Sequence, residues 1–109
     1  MPSYKLASDS VIIDGVNPLL LAFVDRLSGI HQLLFDEPIV ITSGKDGTHG
    51  LGSLHPHGRA VDLRTRDLTQ TQLGVFLSIL AYECWANNMI YMDESALVGE
   101  SHIHIEYRS

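Results

Sequence analysis

The six residues His102-Ile103-His104-Ile105-Glu106-Tyr107 alternate without a break between polar and apolar side chains. Successive side chains of a β-strand point to opposite faces. A strand here sends Ile103, Ile105 and Tyr107 to one side and His102, His104 and Glu106 to the other. Such a strand covers a core on one side only, as strands of an antiparallel sheet do. Core packing does not explain two imidazoles and a carboxylate on the open face.

Working outward, residues 59–64 also alternate, with Ala60, Asp62 and Arg64 on one face and Val61 and Leu63 on the other. Residues 88–93 read as a further strand, and the β-branched run Ile39-Val40-Ile41-Thr42 suits a buried one. Two helices separate these strands. Asn17-Pro18 reads as an N-cap followed by proline at the first helical position, and Leu20, Phe23, Val24, Leu27, Ile30, His31 and Leu34 then recur at helical spacing, predicting a helix over 18–34. Thr69-Gln70-Thr71-Gln72 has the form of a capping box. It opens a helix with Leu73, Phe76, Leu77, Leu80, Cys84 and Trp85 on one stripe, ended by Asn87-Asn88. The order helix, strand, strand, helix, strand, strand predicts an α+β domain: a small, mainly antiparallel sheet, helices packed on one face, and the histidines on the open face.

The 109 residues fit one domain, 1–109, with no repeat, low-complexity tract or long linker. Apolar content of 45% supplies a core without a staple. Seven Lys and Arg against thirteen Asp and Glu give a net charge of −6, which disfavours nucleic-acid and acidic-membrane partners. One cysteine, Cys84, excludes an internal disulfide framework and is expected to be a small buried hydrophobe; Tyr82 and Trp85 are expected to pack against or edge the core. No stretch has the form of a secretory signal or a membrane span. The expectation is a monomer made in the cytoplasm without a signal peptide.

Histidine is the anomaly. Five of the six fall in two short windows, 49–57 and 102–104. Residues 43–53 hold four glycines and almost nothing apolar, so they read as a surface loop, the kind of segment that carries function. From it runs Ser53-Leu54-His55-Pro56-His57-Gly58-Arg59-Ala60-Val61-Asp62. The turn at Pro56-His57-Gly58 lets His55 fold back toward the carboxylate of Asp62, and His104 arrives on another strand. Two imidazoles and one carboxylate make a three-ligand set that Zn²⁺ accepts, leaving a fourth position open as in catalytic zinc sites. His31 lies on the first helix's apolar stripe and belongs to packing. His49 and His57 flank the proposed site as supporting or merely loop residues.

The string Ser53-x-His55-x-x-Gly58-x-Ala60-x-Asp62, followed by His102-x-His104, resembles the zinc D-alanyl-D-alanine carboxypeptidases and L-alanyl-D-glutamate endopeptidases of peptidoglycan. These share a fold with hedgehog signalling domains. The resemblance spans roughly residues 39–107 and is closest to small phage and prophage members. It implies that His55, Asp62 and His104 are the zinc ligands, that His102 assists at the scissile carbonyl, and that Ser53 supports the ligands. The implied partner is a peptidoglycan stem peptide, cut by a carboxypeptidase or endopeptidase released to the cell wall. Many members hold substrate with an arginine after Ser-Gly. Here Ser43-Gly44 precedes Lys45, so Lys45, Arg59 or Arg64 takes that role. Others carry a glutamate base three residues before the last zinc histidine. Here Glu100 stands four before His104 and is the candidate base, with Glu106 a poorer one and His102 the alternative. The competing reading is a non-catalytic zinc domain that uses its metal for stability or for docking a partner.

Overall fold

A computed structural model describes residues 2–46, 53–96 and 101–108. Asn17 caps α1 (Pro18–Phe35), its side-chain oxygen accepting from the Leu19 amide at 2.8 Å, with Pro18 opening the helix. The helix ends at Asp36, which takes the left-handed conformation and returns its N–H to Gln32 O. Thr69 and Gln72 form the reciprocal capping box that starts α2 (Gln70–Ala86). Both helices lie within a residue of where their caps and periodicity place them.

The strands are β1 (Lys5–Leu6), β2 (Val40–Ser43), β3 (Ala60–Arg64), β4 (Met89–Glu94) and β5 (His102–Tyr107). They form one sheet in the order β1-β2-β3-β5-β4, antiparallel except for β1, which runs parallel to β2. The fold is the expected α+β domain. The short β1 has no counterpart in the expected element order, because its two residues are exposed and leave no apolar signature. β4 begins at Met89 because Asn88 sits in the left-handed region with φ 59°, a conformation asparagine tolerates better than most residues.

One core unites the apolar faces of helices and sheet. Val61, Leu63, Ile103 and Ile105 from the central strands meet Leu20, Val24 and Leu27 of α1 and Phe76 and Leu80 of α2. His31 is buried there, edge-on to Phe35 and Phe76, with Nδ1 bonded to Glu37 O. Cys84 is buried as expected, and its thiol is pushed up to about 12 by burial and by the neighbouring Glu83 charge. Arg26 of α1 pairs with Glu83 of α2 at 2.9 Å. Two expectations of packing are corrected. Trp85 is 80% exposed and Tyr82 64% exposed, because Leu80 and Cys84 occupy the inward stripe and residues one or two steps away turn outward; Leu34 is likewise half exposed. Among the described residues no helix is long and apolar enough to cross a membrane.

Gly58 joins this framework to the loop. Its φ is +71°, and a Cβ there would lie 2.3 Å from Gly15 O. Its carbonyl accepts from the Asn17 amide at 2.7 Å, so the turn before β3 is bonded to the residue that caps α1. Gly58→Ala should therefore destabilise the protein by about 1–3 kcal/mol, from a disfavoured φ together with a backbone clash. Urea denaturation checks this; a loss below about 0.5 kcal/mol would show that the turn can relax away from Gly15.

Candidate metal centre

Register assembles the site. On the sheet's open face Asp62 of β3 stands opposite His104 of β5, and Arg64 stands opposite His102. On the other side of β5, Glu94 of β4 is opposite His102 and Ile90 opposite Glu106. Directly opposed side chains in an antiparallel pair have Cβ atoms about 4.5–5.5 Å apart, so neighbours in this grid touch. The third ligand candidate comes from outside the sheet. Residues His55–His57 form a single 3-10 turn closed by Gly58 N–H to His55 O, and it delivers His55 buried against the sheet. Ser53 Oγ accepts from the His55 amide at 3.2 Å and supports the start of the turn.

His55 Nε2, Asp62 Oδ1 and His104 Nδ1 converge. The separations are 3.2 Å between the two nitrogens, 3.2 Å from His55 Nε2 to the carboxylate oxygen, and 2.9 Å from His104 Nδ1 to that oxygen. These three residues form a group that could hold a metal ion. A tetrahedral ion with bonds of about 2.0–2.1 Å needs ligand atoms about 3.3 Å apart, and the three edges lie close to that length.

The outer bonds set the chemistry of each ring. His55 Nδ1 is 2.8 Å from Gly44 O, an acceptor, so the proton belongs on Nδ1 and the inward Nε2 carries a lone pair. His104 lies between two carboxylates, with Nδ1 at 2.9 Å from Asp62 and Nε2 at 2.9 Å from Glu106. Carboxylates only accept, so without metal both nitrogens of His104 carry protons. Its pKa is accordingly raised: burial works against the charge, but hydrogen bonds to Asp62 and Glu106 and their negative charges outweigh it. Asp62 is held far below the carboxylate range. Burial opposes this, and the hydrogen bond from His104, with the positive character of the imidazoles around it, prevails. Three inward acceptor sites thus share one proton, on His104 Nδ1. A divalent ion can take that proton's place without disturbing any outer bond.

The other expected residues divide. His102 lies beside the cluster, its Nε2 at 3.8 Å from Asp62 Oδ1 and 3.2 Å from Glu94 Oε1. Glu94 reaches His102 from the neighbouring strand β4. Its partnership is visible only in the β4–β5 register, because residues 94 and 102 belong to different strands. Glu106 is the outer partner of His104. His57 is exposed on the turn. Arg64 pairs with Asp67 at 2.7 Å, Arg59 donates to Tyr107 O at 3.3 Å, and the Lys45 side chain lies over Gly15. Glu100 and His49 fall outside the described residues.

The two shifts give the metal-free protein pH dependences of opposite sign. His104, raised above its ordinary 6.5, stabilises the metal-free fold fully below that value and loses the contribution as pH rises through its folded pKa. Asp62, lowered from 3.8, contributes above that value and loses it as pH falls through its folded pKa. After removal of metal with a chelator, the stability lost in His104→Ala should therefore be greater at pH 5 than at pH 8. Metal binding must expel the His104 proton, so affinity should fall as pH drops through the raised pKa. Denaturant unfolding and metal titration at the two pH values check both signs. Equal metal retention at pH 8 and pH 4.5 would rule out two imidazole ligands.

No family model matches this chain, and no curated protein matches it.

Proposed function

We propose that this protein is a zinc-dependent amide hydrolase cutting the stem peptide of bacterial peptidoglycan, as a phage or prophage lytic enzyme or a close bacterial relative. The observation that carries the reading is the convergence of His55 Nε2, Asp62 Oδ1 and His104 Nδ1 within 2.9–3.2 Å of one another on the open face of the sheet, with His102 beside them. The same residues carry the sequence resemblance to peptidoglycan carboxypeptidases and endopeptidases. Zinc suits two imidazoles and a carboxylate better than magnesium or calcium, which prefer an all-oxygen shell.

His55, Asp62 and His104 would hold the ion, and Gly44 O and Glu106 keep the two rings turned toward it. Bound zinc supplies Lewis-acid polarisation of the amide carbonyl and a water of lowered pKa. His102 presents its Nε2 proton, held by Glu94, where it can stabilise charge on the carbonyl oxygen or pass to the departing amine. Amide hydrolysis adds a water's OH to the carbonyl carbon and breaks the carbon–nitrogen bond, and the water's remaining proton would reach the departing amine through His102. Of the three cations expected to hold substrate, Arg64 stands in register with His102. It would exchange Asp67 for a stem-peptide carboxylate as a bidentate partner.

The second reading, a metal-binding domain without turnover, is favoured by the engagement of Arg59 with Tyr107 O and the placement of Lys45 over Gly15. One set of measurements separates the two: bound metal by mass spectrometry, and release of free amines from purified cell walls. His55→Ala and Asp62→Ala should lose both metal and activity. His102→Ala should keep the metal and lose about 10²–10⁴ in kcat. A fully zinc-loaded wild-type protein inert on walls and on isolated stem peptides would overturn the hydrolase and leave the binding domain.

A further inference from the structure

We infer that Glu106 is a positioning residue that selects Nδ1 of His104 as the metal-facing nitrogen. The inference rests on the metal reading above and extends it to a residue whose expected role was that of a poor candidate base. His104 and Glu106 are two apart on β5 and therefore share a face. Glu106 Oε1 lies 2.9 Å from His104 Nε2, on the side of the ring opposite Asp62. This contact occupies Nε2 and leaves Nδ1 for the cluster. The ring cannot exchange its nitrogens without losing the bond to Glu106 and turning an N–H toward the ion. The cross-strand neighbours of Glu106 are Ala60 and Ile90, neither of which offers it a hydrogen bond from its side chain. Ala60 is wholly buried and small, which lets the carboxylate lie along the sheet toward His104. With its side chain 19% exposed, Glu106 is sheltered enough for the bond to orient the ring. A carboxylate behind a ligating imidazole also raises its basicity toward the metal.

The test is zinc affinity of the metal-stripped full chain, measured against a competing chelator at fixed pH. Glu106→Ala and Glu106→Thr should each weaken zinc binding by about 10–100-fold. Glu106→Gln, whose carbonyl oxygen still accepts from Nε2–H, should recover part of that loss. Glu37→Ala removes an equal charge far from the cluster and should bind as wild type does. Long-range proton–nitrogen NMR of the zinc-loaded protein should show His104 protonated at Nε2 in wild type and a mixture of ring states in Glu106→Ala. Glu106→Thr keeps strand propensity and serves if the alanine variant does not fold. Zinc affinities of the folded Ala or Thr variant within twofold of wild type would overturn the inference while leaving the metal site standing. A wild-type chain that binds no zinc would overturn the metal reading itself.

Discussion

The antiparallel pairing of β3 with β5 is the constraint on which the rest depends. A register of Val61 with Ile105 and Leu63 with Ile103 turns four apolar side chains toward the helices. The same register necessarily puts Asp62 against His104 on the opposite face. A slip of one residue would bury the imidazoles and expose the isoleucines. Core and site are therefore two consequences of one hydrogen-bond ladder, and the free energy of apolar burial holds Asp62 and His104 in place.

The sheet supplies two of the three candidate ligands but cannot supply the third. His55 reaches them because a tight turn, closed by a left-handed Gly58, lifts it over the end of β3. That turn is tied to α1 through Asn17 and Gly58, so the helix cap that orders the N-terminal half also steadies the loop. The proposed ion would thus sit between a rigid sheet and a turn anchored to a helix. Such support keeps a ligand set at working geometry before metal arrives, where a free loop would have to be ordered first.

The electrostatic arrangement gives the metal-free state its own logic. His104 between Asp62 and Glu106 carries a proton that satisfies the inward acceptors, so the apo cluster is neither unpaired nor empty of charge. Exchange of that proton for a divalent ion would keep the hydrogen bonds to Gly44 O and Glu106 intact. His102 stands outside this exchange, bonded to Glu94, which leaves its ring available for substrate chemistry in the proposed hydrolase.

Local chemistry determined much of this protein. The caps at Asn17 and Thr69, the helical spacing of Leu20 through His31, and the alternation of residues 102–107 each encode an element through backbone sterics and side-chain period. His55, Asp62 and His104 were legible for a related reason: a turn signal and two alternating strands already say which side each residue faces. Other features depend on which strands lie side by side, and no short window contains that. β1 is exposed and silent in composition, and Glu94 meets His102 across a strand boundary. Trp85 reads as core by hydrophobicity, yet Leu80 and Cys84 take the inward stripe of α2 and Trp85 turns to solvent. Side-chain direction follows from the chain's own geometry, whereas partnership follows from packing, which only the folded molecule decides.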